Sequence, residues 1–238
     1  EFSPSPTQAA FLTSDAVVNA IYSNFGEGKT WGAVVSYAYH AQLNYARTGL
    51  QQMEVYVIRD TLENLKRSPL PTIREVYGGL FESFNQDKEG YIYSTPLIHL
   101  TFIGIADGGD LSKLQGPEVA LIHLEEVCPI EDAQRYSAGL SEAVFNLSLV
   151  RCARQKNAIP RLIVSGNPGD QEHWFYKRLI EPPDGPFDDD TPLITKRVFK
   201  IPYGENTHQQ EISRQATIAA YKYAPQGFQR FVKGELAT

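Results

Sequence analysis

Apolar residues fall in short buried-type runs separated by longer stretches of helical spacing. Ala16–Tyr22, Glu54–Ile58, Val119–Leu124 and Arg161–Val164 read as strands. Tyr91–Tyr93 and Ile98–Ile103 read as a strand pair, with Ser94-Thr95-Pro96 between them, and 193–201 as a late strand. Trp31–Arg47 and Ser137–Arg154 read as helices, the second from Leu140, Val144, Leu147 and Val150. Leu62–Tyr77 has helical signals but carries Pro69 and Pro71, which predict a break. Glu211–Tyr223 reads as a last helix and 228–236 as a short closing segment. Strands alternating with helices predict an α/β three-layer domain with a mainly parallel sheet. After Ile180 the chain turns rich in Pro and Asp, so 1–180 reads as the core and 181–238 as a C-terminal lid or linker.

The first strand runs into Ser23-Asn24-Phe25-Gly26-Glu27-Gly28-Lys29-Thr30, followed by a helix beginning near Trp31. A strand, a glycine-bearing loop ending Gly-Lys-Thr and a helix form the setting of a P-loop. Loop N–H groups and the helix N-terminus attract phosphate oxygens. Asn24, Gly26, Glu27, Gly28, Lys29, Thr30 and Trp31 are therefore candidate nucleotide-binding residues. Lys29 would reach the β- and γ-phosphates of ATP, and Thr30 would offer its hydroxyl to Mg²⁺. Ser23 stands where the usual pattern has Gly.

Such a loop calls for acidic groups on the end of another strand. Val119–Leu124 delivers Glu125 and Glu126 at its C-terminal end, where ligands of open α/β sheets bind. Glu125 is the candidate Mg²⁺ ligand and Glu126 the group that polarises the attacking water. Most such motifs have Asp first, so Glu125 is one methylene longer than expected. Taken alone, the pair reads equally well as solvated carboxylates capping a strand. Ser165-Gly166-Asn167 ends the next strand and could touch the γ-phosphate, although its residues are also ordinary turn formers. Arg59, Arg135, Arg151, Arg154 and Arg161 are candidate transition-state cations, a role contributing roughly 10³–10⁵ in rate.

Composition narrows the choice. The chain has 238 residues, 42% apolar and 21% charged, and a net charge of −6. Any nucleic-acid contact must then be local to a few loops or one face. No apolar run reaches membrane-span length. Cys128 and Cys152 are too few for a disulfide scaffold, which suggests a reducing, intracellular setting. His123 lies inside an apolar strand and reads as a hydrogen-bonded core residue, and Trp174-Phe175-Tyr176 as packing. The opening Glu1-Phe2 without Met suggests a piece of a longer protein.

Further short matches run in order along the chain: Pro6-Thr7-Gln8, Val57-Ile58-Arg59-Asp60-Thr61, and Leu114-Gln115-Gly116-Pro117-Glu118. They continue with Ile163-Val164-Ser165-Gly166-Asn167-Pro168, His173-Trp174 and Tyr203-Gly204-Glu205-Asn206, then Val232-Lys233-Gly234-Glu235-Leu236. Together with the P-loop, the chain resembles the ATPase domain of the large terminase subunit of tailed bacteriophages. The resemblance implies a P-loop NTPase of the additional-strand, catalytic-glutamate type. It implies a motor in the host cytoplasm that couples Mg-ATP hydrolysis to translocation of double-stranded DNA into a procapsid. Its expected partners are the portal protein, the small terminase subunit and further copies of itself in a ring. By position it implies that Gln8 contacts adenine, Ser165 and Asn167 couple hydrolysis, and Arg151 acts as a finger. Many members carry arginine where this chain has Phe25. The matches stop before the family's nuclease domain, so no DNA cleavage is expected. Another P-loop ATPase such as a helicase, or a nucleotide-binding domain without hydrolysis, are the alternatives.

Overall fold

The computed structural model describes residues 3–78, 83–86, 91–106, 108–129 and 139–236. In chain order the elements are α1 (Pro6–Leu12), β1 (Val18–Tyr22), α2 (Lys29–Thr48), β2 (Met53–Arg59), α3 (Leu62–Arg67), α4 (Leu70–Tyr77), β3 (Ser83–Gln86), β4 (Tyr91–Ser94) and β5 (Ile98–Gly104). There follow β6 (Leu121–Glu125), α5 (Glu142–Arg151), β7 (Arg161–Gly166), β8 (Gly185–Pro186), β9 (Thr195–Lys200) and α6 (Glu211–Tyr221). Helical turns at Phe228–Lys233 close the described chain.

The nine described strands join one sheet in the order β3-β4-β5-β2-β6-β7-β1-β9-β8. The six strands from β5 to β9 in that order pair in parallel, with β3, β4 and β8 antiparallel at the edges. The sheet is thus mainly parallel, as the alternation predicts. β7 stands between the loop-bearing β1 and the acidic β6. One strand is thus inserted between the loop strand and the acidic strand, as the additional-strand expectation requires.

Strand side chains alternate between two layers. Val18, Ala20 and Tyr22 of β1 point into one core with Phe145, Trp174 and Phe175. Ile21 points into the other with Val34, Tyr37 and Phe199. β1, β6 and β7 are buried along their whole length. They carry near-continuous apolar runs because both faces are covered. The helical stretch from Leu62 breaks before Pro69, since Ser68 is extended, as a residue preceding proline prefers. α5 begins at Glu142, and residues 137–138 of its expected first turn lie outside the described residues.

The expected division at 180/181 is not one the sheet respects. β9 pairs along the whole of β1, so 195–200 belongs to the central sheet. The cause is a strand beyond the Pro- and Asp-rich loop that buries Lys196 on one face and Phe199 on the other. The sequence pattern does not predict helix α1 either. Its N-cap is a capping box in which Ser5 and Gln8 exchange hydrogen bonds.

Candidate active site

The parallel strands bring their C-terminal ends to one edge, and the polar residues collect there. Gly26 and Gly28 both have φ of 82°, a left-handed conformation that glycine adopts without penalty. Gly28 caps α2, so the helix begins at Lys29 and its N-terminus faces the loop's interior. Gln8, Gly26, Gly28, Lys29, Thr30 and Glu126 help line an open cleft of about 990 Å³, with Trp31 also on its wall.

Two chains of contacts cross this edge. In the first, Lys29 Nζ donates to Asn24 O at 3.0 Å and Asn167 Oδ1 at 2.9 Å, with Ser23 O at 3.4 Å. Asn167 Nδ2 in turn donates to Glu126 Oε2 at 3.1 Å. Asn167 therefore joins the loop lysine to the second carboxylate. In the other chain, Thr30 Oγ1 donates to Glu125 Oε1 at 2.7 Å. Ser165 Oγ donates to Glu125 Oε2, and His123 Nε2 stands 3.0 Å from the same oxygen. Glu125 and Ser165 are register partners on β6 and β7, so their side chains meet on the α2 side of the sheet.

Environment separates the two carboxylates. Burial disfavours the Glu125 anion, but hydrogen bonds from His123, Ser165 and Thr30 outweigh it and hold the carboxyl well below its usual range. Glu126 is pushed up, chiefly by burial and also by the Glu125 carboxylate, with Lys29 and Arg59 opposing. Burial lowers Lys29 against the pull of Glu126, Glu125 and Glu27. The surroundings thus favour the anion at Glu125 and disfavour it at its neighbour Glu126. Glu126 also has φ of 54°, unusual for a residue with a side chain. Such strain marks sites where a side chain must be aimed.

The donor set next to Thr30 fits a small hard cation. A threonine hydroxyl that gives its proton to Glu125 keeps its lone pairs outward, and both groups are oxygen donors suited to Mg²⁺. Among the described residues no cluster of three or more His, Cys, Asp or Glu is arranged to hold a metal alone. A cation at Thr30 would have to complete its shell with phosphate and water oxygens.

Other expected site residues have further contacts or lie away from this cluster. Gln8 has both ends of its amide engaged, Oε1 with Ser5 N at 2.9 Å and Nε2 with Gly28 O at 2.8 Å. Its contacts tie α1 to the loop. Glu27 turns its buried carboxylate away from the cleft, accepting from the N–H groups of Gly204 at 2.9 Å and Asn206 at 3.0 Å. Arg151 ends α5 at the opposite edge of the sheet. The turn after it docks through Gln155, which bonds Val119 O at 3.4 Å and Glu54 N at 2.9 Å near the starts of β6 and β2. The structure therefore does not bring Arg151 to this cluster. Arg135 lies outside the described residues. Arg59, at the C-terminal end of β2, is the arginine whose charge reaches Glu126. Its Nη1 is held by Ser68 O at 2.9 Å.

Phe25 stacks on Phe231 with centroids 4.6 Å apart and rings within 9° of parallel. Arg230, 2% exposed, donates to Pro168 O and Pro129 O at 2.7 Å each, clasping the turns that follow Asn167 and Glu126. Nothing in the local sequence around 230 announces that role.

No protein-family model and no curated protein sequence matches the chain. Solved structures do. The large terminase of a thermophilic bacteriophage superposes with a TM-score of 0.68 at 17% identity, covering 99% of this chain and 54% of that one. The chain has the fold of a large-terminase ATPase domain. The Thermus phage P74-26 large terminase ATPase domain aligns with a TM-score of 0.59 at 13% identity, over 99% of this chain and 95% of its own. The N-terminal domain of the bacteriophage phi29 DNA packaging ATPase aligns with a TM-score of 0.52 at 13% identity, over 84% and 97% of the two chains. This chain spans about half the length of the thermophilic phage's terminase. That terminase has also been crystallised with ADP and with ATP-gamma-S. No described helix is long and apolar enough to cross a membrane.

Proposed function

We propose that this chain is the ATP-hydrolysing module of a viral DNA-packaging motor. The observation that carries the reading is the Lys29–Asn167–Glu126 chain beside the Thr30–Glu125 pair, all on one sheet edge. Lys29 would exchange its loop carbonyls for β- and γ-phosphate oxygens, and the loop N–H groups would hold the remaining phosphate charge. Thr30 and Glu125 would hold Mg²⁺, which neutralises the phosphate charge as the leaving group departs. Glu126, the poised carboxylate, would take the proton of the attacking water. Asn167 contacts both the phosphate-side lysine and the base, so loss of the γ-phosphate would change its position. Arg59 is a candidate transition-state cation in cis, and Arg151 could serve only a neighbouring copy.

The fold neighbours named as packaging ATPases support DNA translocation as the work done. A ring at a portal, with a small terminase subunit, double-stranded DNA in its centre and a place in the host cytoplasm, belongs to the same reading. Residues 203–233 would act as the lid against the loop. The test is Mg²⁺-dependent ATP hydrolysis by the protein assembled on its portal. Turnover in the unaltered protein, lost in Lys29→Ala and in Glu126→Gln, is the expected result. Undiminished turnover in both variants would remove the assigned roles.

A further inference from the structure

β6 carries a second polar residue that the proposed chemistry leaves unused. His123 lies two positions before Glu125, on the same face, and is fully buried. Its Nδ1 is 2.5 Å from the hydroxyl of Tyr37, a fully buried residue in the third turn of α2. Its Nε2 is 3.0 Å from Glu125 Oε2 and 2.7 Å from Ser165 Oγ. The carboxylate can only accept, so the imidazole proton belongs on Nε2 and the Tyr37 hydroxyl donates to Nδ1. The result is a continuous chain, Tyr37–His123–Glu125–Thr30, from the middle of the loop's own helix through the acidic strand and back to the helix's first turn.

This chain answers the extra methylene of Glu125. An Asp at the strand end has one side-chain torsion fewer to fix. A glutamate reaching the same place needs its carboxylate held, and rotamer freedom must be removed before it can serve as a ligand. Ser165 and Thr30 hold it from the sides, and His123 holds it from beneath. Partners behind a ligating group set its orientation, and their loss costs about 10–100-fold in metal affinity or activity.

Resting on the ATPase reading above, we propose that Tyr37 and His123 are positioning residues that set the orientation of Glu125 toward a divalent cation bound with nucleotide. They contact neither nucleotide nor cation themselves.

The experiment uses the 238-residue chain and Mn²⁺ with ADP as the probe. The Mn²⁺ affinity of the protein–ADP complex is read by electron paramagnetic resonance, and ADP affinity in EDTA by calorimetry. In Tyr37→Phe, which keeps the ring and its packing, Mn²⁺ affinity should fall several-fold. In His123→Leu it should fall about 10–100-fold. His123→Gln keeps a donor near the Nε2 position and should recover part of the loss. Metal-free ADP affinity should stay within about twofold throughout. Unchanged Mn²⁺ affinity in Tyr37→Phe and His123→Leu overturns the proposal. So does an equal loss of metal-free ADP binding, or a His123→Gln no better than His123→Leu, because either means general packing. If the unaltered protein binds ADP without any Mn²⁺ dependence, the ATPase reading itself fails, which is a distinct result.

Discussion

The two faces of the P-loop are built from opposite materials. The inner face holds Lys29, Thr30, Glu125, Glu126 and Asn167, groups that attract phosphate or a cation or move a proton. The outer face is fastened by Phe25 on Phe231, by Glu27 on the backbone of 204–206, and by Asn206 Nδ2 on Gly26 O at 2.6 Å. A Cβ on Gly26 would lie 2.0 Å from Gln209 Nε2, so the loop and the 203–214 segment touch without a gap. The proposed chemistry sits on one side and mechanical support on the other. Removing an inner-face group should stop turnover and leave the fold intact. Removing an outer-face group should weaken the fold or the hold on the C-terminal segment first.

The largest effect tests the inner face. Lys29→Ala and Glu126→Gln should each lower kcat by about 10²–10⁴, the range of a lost general base or transition-state donor. Thermal unfolding of both should stay near that of the unaltered chain. A large fall in Tm alongside the loss of rate would show that the inner face also carries stability, and the contrast would fail.

Next comes the outer face. Glu27 is 1% exposed and accepts two backbone N–H groups, so Glu27→Ala leaves both without their partner. The expected cost is about 1–3 kcal/mol of stability, measured by denaturant unfolding. Phe25→Leu should cost less, about 0.5–1.5 kcal/mol beyond the lost area, the usual size of an aromatic pair. Limited proteolysis should show 203–233 cut faster in both variants. Stability unchanged in Glu27→Ala would mean that the C-terminal segment holds the loop by other contacts.

The pH profile sharpens the difference between the carboxylates. Glu126 must be ionised to act as base and its pKa is raised, so kcat should fall at a higher pH than an ordinary glutamate would dictate. Glu125 is depressed from 4.5 to about 2, so its contribution to stability is present above 4.5 and is lost as pH falls toward 2. Glu126 has the opposite sign. Its contribution is complete below its unfolded value of 4.5 and disappears as pH rises through its folded value. An acid limb of kcat at or below the ordinary glutamate range would remove Glu126 from the role of base.

The inner face was legible because its parts are local. A glycine-bearing loop ending Gly28-Lys29-Thr30, and an apolar strand ending Glu125-Glu126, each show themselves within eight residues. The sheet order was legible only as a class, since alternating strands and helices fix parallel pairing but not which strand is inserted. The outer face was hidden because its partners lie about 180 residues away, as with Glu27 and Gly204. Gln8 shows a second limit. The resemblance implies an adenine contact, and the sequence does not show that its amide also closes a capping box and bonds a loop carbonyl. His123 was visible as an oddity in an apolar strand, but Tyr37, its partner, looks like any core aromatic.

In the isolated chain the smallest effect is expected from Arg151, and it tests whether the site is complete within one chain. Arg151 is at the sheet edge opposite the loop, held there by the turn through Gln155. The strands run between that edge and the loop, so in its own chain this guanidinium is not placed against Lys29, Glu125 or Glu126. Arg151→Ala should therefore leave basal hydrolysis of the isolated chain unchanged within about twofold. In the assembled protein a neighbouring copy could present the same arginine, and the variant would then lose rate only there, by up to about 10³–10⁵. Equal turnover of Arg151→Ala in both settings, alongside a loss in Arg59→Ala, would assign the transition-state cation to β2 and make the catalytic edge self-sufficient. A loss in the isolated chain would require α5 to reorient, and would break the contrast between the loop's inner face and the rest of the fold.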